Sequence, residues 1–400
     1  MASDQNQPPL PTFGCSREIS RATAKGSSHA QASGLSIGIR IADAREIIAT
    51  AEPVRVILAN VINAFSFGRG QNVMTDTSDP ALLHVPARSI ALPSHLSPEA
   101  RAQALQPMLS NPPWPEPGDM DGWRALIARM DAMGEAGLTM MSQHLPGTVE
   151  ERDVDGVRVF VATPAGVSDD DPSVYLDIHG GALLWGGGES CRALAKVMAA
   201  MFGARTWSVD YRMPPDHPFP AGVDDCVTVY RALLKQTDAR HIIIGGPSAG
   251  GNIAAAAILK ARDEGLPLPA AAVLMTPEID LTESGDSFRT LLGIDTALTS
   301  SLMPANLLYA GGHDLTDPYV SPLFGDFTKG FPPTLLQSGT RDLFLSNTVL
   351  MHRALRRADV EAELHIFDAA THVMFMGGPE SEDRTREIRR FADRHWGRRT

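Results

Sequence analysis

The chain has 400 residues, 43% of them hydrophobic and 20% charged, with a formal net charge of −12 at pH 7. This is ample apolar material for one large core or two ordinary ones, whereas an acidic balance argues against nucleic-acid binding, which needs a basic face. No stretch reaches the roughly 18 apolar residues of a membrane span, no basic region followed by an apolar run opens the chain as in a signal peptide, and Cys15, Cys191 and Cys226 lack metal-ligand spacing, so a cytoplasmic protein with reduced thiols is expected.

Residues 1–35 are rich in Ser, Ala, Gln, Pro and Gly without a period, and Pro53 interrupts the apolar segment 44–64. Residues 1–83 therefore read as a poorly ordered extension, with the folded part beginning near residue 80. Ser97-Pro98-Glu99 then offers an N-cap serine, a proline at the first helical position and an acidic first turn. After a Pro-rich break (Pro112, Pro113, Pro115, Pro117), a second helix is expected from Met120 to His144, with Trp123, Leu126, Ile127, Met130, Met133, Met140 and Met141 apolar. The methionines either fill core or form an adaptable substrate wall. Two helices ahead of a sheet predict a cap over residues 84–150, joined by about 283–312, above a catalytic core spanning 151–400.

Seven strands follow: Val157–Ala162 as an outer strand, Ser173–Ile178, Thr206–Tyr211, His241–Pro247, Ala270–Met275, Pro333–Ser338 and Glu363–Phe367. Helical segments such as Val223–Gln236 and Ser346–Arg357 separate most of them. The expected fold class is α/β, a mostly parallel, doubly wound sheet with helices on both faces. In such sheets ligands bind at the carboxyl ends of the strands.

One of those ends carries Gly246-Pro247-Ser248-Ala249-Gly250, a match to the G-x-S-x-G nucleophile elbow in its strand–turn–helix setting. The plain alternative is a glycine-rich turn of any α/β protein. A serine hydroxyl needs a base, and the base an acid to orient it, in the order Ser, acid, His. Asp342 lies just past the sixth strand and His372 just past the seventh, whereas His365 falls inside a strand. Asp342 could otherwise cap the helix after it. His313, Asp314 and Asp317 follow the cap segment and read as structural. His179-Gly180-Gly181-Ala182 follows the second strand, so the amides of Gly180 and Gly181, with that of Ala249, are candidates for an oxyanion hole. Ala182, Trp123, Met130, Met133 and Met303 are candidate substrate contacts. Gly186-Gly187-Gly188-Glu189 reads as a tight, mobile bend shaping the alcohol or acyl side of the pocket. Arg386, Arg389, Arg390, Arg394, Arg398 and Arg399 on a final helix read as a solvated face.

Three stretches resemble the hormone-sensitive-lipase-like branch of the α/β-hydrolases, carboxylesterases with an N-terminal helical cap. His179-Gly180-Gly181 is similar to its H-G-G-G motif, Tyr211-Arg212-Met213-Pro214-Pro215-Asp216-His217-Pro218-Phe219-Pro220-Ala221 to its Y-R-L-A-P-E-H-P-F-P-A segment, and Gly246–Gly251 to its G-D-S-A-G-G elbow. The resemblance covers about residue 84 to the end. It implies hydrolysis of short- to medium-chain or small bulky carboxylic esters through a serine acyl-enzyme, with no cofactor and no metal. The implied partner is a small-molecule ester, without nucleic acid or membrane, and a homodimer is compatible with it. Two residues depart from the family: Ala182 stands for the last glycine of H-G-G-G, where its methyl group should narrow the pocket, and Pro247 for the acid before the nucleophile. The same triad could open a lactone or cleave an activated amide. A receptor on this fold that had lost catalysis would be expected to lack a triad member, and a lipase acting at lipid surfaces would be expected to show a long apolar lid.

Overall fold

A computed structural model describes residues 83, 85, 87–108 and 113–398 of the chain. Apart from residue 83, the extension expected over residues 1–83 lies outside the described residues. Residues 88–400 group as one unit. In chain order the elements are α1 (Pro98–Ala104), α2 (Met120–Ser142), β1 (Gly147–Val154), β2 (Val157–Pro164), β3 (Val174–Ile178), α3 (Glu189–Phe202), β4 (Arg205–Asp210), α4 (Ala221–Leu233), β5 (Ile242–Pro247), α5 (Ala249–Asp263), β6 (Ala271–Met275), α6 (Ser287–Thr290), α7 (Met303–Ala310), β7 (Thr334–Gly339), α8 (Leu345–Arg357), β8 (Ala362–Phe367) and α9 (Gly378–Trp396). Among the described residues, no helix is long and apolar enough to cross a membrane.

The strands form one 8-stranded sheet in the order β1-β2-β4-β3-β5-β6-β7-β8. β1 pairs antiparallel with β2 and β2 antiparallel with β4, while the pairs from β4 through β8 are parallel. Every residue of β3, β6 and β7 is buried, as expected of parallel strands covered on both faces. Side chains alternate between two cores. Leu176, Ile178, Ile242, Ile244, Leu274 and Leu336 face α4, α5 and α8. Tyr175, Ile243, Val273 and Leu335 face Met198 and Phe202 of α3 and Ile388, Phe391 and Trp396 of α9.

β1 is a strand that hydrophobic periodicity does not announce. It carries Glu150, Glu151, Arg152 and Asp153, and no residue in it is buried, so it shows no apolar alternation. Pairing with β2 makes it a strand, and the boundary expected at 150/151 falls inside it. Charged side chains on a solvent-facing edge strand also discourage pairing with another chain.

The topology decides where chemistry can occur. After β3 the chain steps outward to β4 and then returns to place β5 on the other side of β3. The strand order reverses there, so the loops leaving β3 and β5 diverge and open a crevice at their carboxyl ends. Gly250 fixes how closely α5 packs beneath that crevice, since a Cβ on it would overlap the Ile178 carbonyl at the end of β3. Gly250→Ala is expected to destabilise the fold by about 1–3 kcal/mol, measurable as a fall in the urea midpoint with an unchanged slope. An unaltered midpoint would show that the α5–β3 contact yields easily.

The Tyr211–Ala221 segment is structural. Tyr211 Oη donates to the His179 carbonyl at 2.9 Å, and the Arg212 guanidinium grips Asp225 of α4 through Nε and Nη2, the latter at 2.7 Å. The arginines expected on a solvated face divide: Arg386 and Arg390 of α9 stay more than half exposed, paired with Asp383 and Glu387 one turn away, whereas Arg389, Arg394 and, just past the helix, Arg398 reach other parts of the fold. Arg389 donates to the carbonyls of Ala200 and Met201 at the end of α3, Arg394 pairs with Glu363, and Arg398 pairs with Asp171. Arg399 lies outside the described residues.

Candidate active site

β5 ends at Pro247, and Ser248 occupies the turn into α5 with φ 57° and ψ −124°. A non-glycine residue in this region costs on the order of 1–3 kcal/mol. Hydrogen bonds hold it there: the Ser248 amide donates to Met275 O at 2.8 Å, and Ser248 O accepts from Gly251 at 2.9 Å and from Glu278 at 3.2 Å. Pro247 costs β5 nothing on the β6 side. Alternate residues carry a parallel ladder to one neighbour, and there the donor is Ser248.

The three residues of the expected triad meet. Ser248 Oγ lies 2.9 Å from His372 Nε2, and His372 Nδ1 lies 3.1 Å from Asp342 Oδ1. The carboxylate can only accept, so Nδ1 carries the proton and Nε2 is left to accept from the serine hydroxyl. Asp342 is fully buried. Its Oδ2 accepts from Ser338 Oγ at 2.6 Å and its Oδ1 also accepts from the Phe344 amide at 2.9 Å. The Phe344 ring stands edge-on to the imidazole at 4.8 Å. Burial pulls the His372 imidazole toward neutrality, but the hydrogen bond and charge of Asp342, then the charge of Asp295, outweigh it and raise its pKa above the ordinary value.

Gly180 follows β3 and passes close to Ser248. A Cβ there would sit 2.9 Å from Pro247 O and 3.4 Å from Ser248 Cβ. At Gly181, φ is +127° and a Cβ would overlap the Trp185 carbonyl. This brings the loop backbone beside the serine, next to Ala249 at the start of α5. The His179 ring stacks on Tyr211 at 4.2 Å and its Nδ1 lies 2.8 Å from Gly180 O, which anchors the loop. Ala182 has φ 49°, a left-handed conformation costing an alanine roughly 1–2 kcal/mol.

A cavity of about 290 Å³ opens over Ser248 and His372. Its walls are Trp114, Leu126, Met130, Gly181, Ala182, Trp185, Leu298, Leu302 and Val373, with Ala297, Thr299 and Ser300. Ala182 and Met130 are where sequence reasoning expects them. Three other candidates are elsewhere. Trp123 is buried behind the wall, stacked on Trp114 at 5.8 Å with its indole N–H on Glu116 O. Met133 is 59% exposed, and Met303 starts α7 outside the lining, next to Leu302. Helical spacing separates apolar from polar faces but not a cavity wall from the core behind it. Trp114 and Trp185 were hidden in a Pro-rich break and a glycine-rich loop. The Gly186–Gly188 bend does not line the cavity either; Gly186 donates to Asp131 of α2 at 2.8 Å and Gly188 to Asp210 at 3.0 Å.

Two buried acids beside the triad have no motif of their own. Glu278, just past β6, is fully buried, and that burial pushes its carboxyl up to about 8. Asp295, from the segment between α6 and α7, is also fully buried. The signal for Glu278 was its position just beyond the strand next to the nucleophile's; nothing local marks Asp295. His179, Cys191 and Asp210 bring an imidazole, a thiol and a carboxylate within 4.8 Å of one another. Asp210 is ion-paired with Arg158, however, and a guanidinium at that distance repels a metal cation, so the cluster reads as structural.

The α/β-hydrolase fold family matches residues 175–376. An acetyl-hydrolase of Streptomyces hygroscopicus is 35% identical over 205 residues, 51% of this chain and 68% of that protein. An esterase of Acinetobacter venetianus is 33% identical over 225 residues, 55% of this chain and 74% of that protein. The crystal structure of an esterase superposes with TM-score 0.72 at 36% identity, covering 78% of this chain and 99% of that one. Another, of an esterase from the bacterial hormone-sensitive lipase family, gives 0.63 at 31% identity, covering 75% and 96%. The chain belongs to the hormone-sensitive-lipase-like branch of the α/β-hydrolases. It is a serine carboxylesterase. The first two helices of this esterase are tied to the elements after them: Ser97, at the start of α1, donates to Glu380 of α9 through its amide and hydroxyl, and Arg124 of α2 pairs with Asp216 at 2.8 Å.

Proposed function

We propose that the esterase works by two-step acyl transfer on Ser248. His372 takes the hydroxyl proton as the serine oxygen attacks the ester carbonyl, and Asp342 orients and stabilises the imidazolium. The amides of Gly180, Gly181 and Ala249 bind the developing oxyanion, each donor contributing on the order of 2.7–4 kcal/mol in the transition state. His372 then protonates the leaving alcohol, and water repeats the sequence on the acyl-enzyme. The observation that carries this reading is the continuous Ser248–His372–Asp342 hydrogen-bond chain at the floor of the cavity.

The substrates are small, uncharged carboxylic esters. The cavity is at the low end of the roughly 300–1,000 Å³ of small-molecule sites, and none of the lining side chains is a carboxylate, ammonium or guanidinium. In a p-nitrophenyl ester series, turnover should be highest on acetate and butyrate and fall steeply toward laurate. A preference for laurate, or faster turnover of a lactone or an anilide, would refute this substrate class. The acid limb of kcat/KM should have its midpoint above the ordinary imidazole value of about 6.5, because the charges around His372 raise its pKa and the base acts only when neutral. Activity undiminished well below that value would show that His372 is not the base.

A further inference from the structure

The loop bearing the acid and the loop bearing the base leave different strands and are tied near their starts by the Arg341 amide on Ala370 O and the Ala369 amide on Thr340 Oγ1. Beside the reacting residues themselves, a side chain from a third segment joins them. Asp295 Oδ2 accepts from the Leu343 amide, directly after Asp342, at 2.8 Å. The same oxygen accepts from the His372 amide at 3.2 Å. Its other oxygen, Oδ1, accepts from the amides of Ala297 at 2.9 Å and Leu298 at 3.2 Å, and both of those residues line the cavity. A carboxylate is the side chain for this task, since its two oxygens only accept and can satisfy four donors at once. Full burial keeps water from competing for them.

Building on the triad reading above, we propose that Asp295 is a positioning residue of this esterase: its carboxylate locks the Asp342 loop, the His372 loop and the cavity wall into one register. The wall and the base are then not independent parts. A substrate group that displaces Ala297 or Leu298 pulls on the same carboxylate that holds the backbone of His372. Asp295 also adds a second negative charge to the surroundings of the imidazole. The groups facing that ring are Asp342 from the loop after β7, Asp295 from the cap segment, Glu278 from the loop after β6 and the hydroxyl of Ser248.

The test uses the full-length protein with active sites counted by a fluorophosphonate probe, which labels an activated serine. In Asp295→Asn an amide group replaces one acceptor and so opposes one pair of donors. The kcat per titrated site on p-nitrophenyl butyrate should fall about 10²-fold, the scale expected of a misplaced catalytic group, with a much smaller change in KM. The acid limb should move to lower pH because a negative charge facing the imidazole is gone, and the low-field proton resonance of the His372–Asp342 hydrogen bond should shift. A merely structural residue would lower the melting temperature and the number of labelled sites but leave kcat per site, the acid limb and the resonance as in wild type; that result in the folded variant overturns the proposal. Asp295→Ser, smaller and with one hydroxyl acceptor, must show the same lowered kcat and shifted acid limb. Failure of the probe to label Ser248 in the wild type would instead overturn the triad reading beneath it.

Discussion

Ser248→Ala is expected to lower kcat on p-nitrophenyl butyrate by about 10⁶ while leaving the protein folded. The figure is what a triad loses when its nucleophile is removed and its members act as a unit. The geometry supports that unit, since Ser248 Oγ is within hydrogen-bond distance of the base and the base within reach of a buried acid. Folding should survive because the backbone hydrogen bonds that hold residue 248 in its left-handed conformation do not involve its side chain. The residual rate would come from the oxyanion donors and the binding cavity alone. A variant keeping a tenth of the activity would show that ester cleavage takes place elsewhere.

Asp342→Asn should be the next largest loss, about 10⁴ in kcat, by analogy with other triads in which the acid was neutralised. The wild-type carboxylate accepts from His372 Nδ1, Phe344 N and Ser338 Oγ. An asparagine must turn its amide group toward one of them. Turned toward His372, it selects the wrong tautomer and directs an N–H at Ser248. Turned toward Ser338, whose hydroxyl can rotate to accept, it preserves the tautomer but removes the charge that steadies the imidazolium. The two cases separate by pH. Loss of charge alone moves the acid limb down with a reduced plateau, whereas a wrong tautomer leaves scarcely any rate at any pH. Wild-type kcat in this variant would remove Asp342 from the mechanism.

The parts of the molecule legible from sequence are those with local signatures. β5 announces itself as His241-Ile242-Ile243-Ile244 running into small residues, and Asp342 and His372 stand directly past strand ends, where backbone geometry aims side chains into the crevice. β1 was not legible, because its stability comes from pairing with β2 and it buries no residue of its own. The cavity wall was only partly legible. Met130 shares a helix face with Trp123, yet one touches the cavity and the other packs behind Trp114. Their difference is one of depth, and periodicity carries no depth. Asp295 is illegible for another reason: its partners at 297, 298, 343 and 372 are brought together only by the completed fold.

The sheet topology has a consequence for how activity is acquired. Ser248, Asp342 and His372 follow β5, β7 and β8, and among the described residues β8 is the outermost strand on its side of the sheet and the last in chain order. A chain halted after β7 would own a strained serine and an acid but no base to draw the proton. On the proposed triad, the hydrolytic centre is complete only once β8 and the loop after it are in place, and a chain lacking them is expected not to cleave esters. Cleavage of a chromogenic ester thus doubles as a gauge of whether that far edge of the sheet is in place.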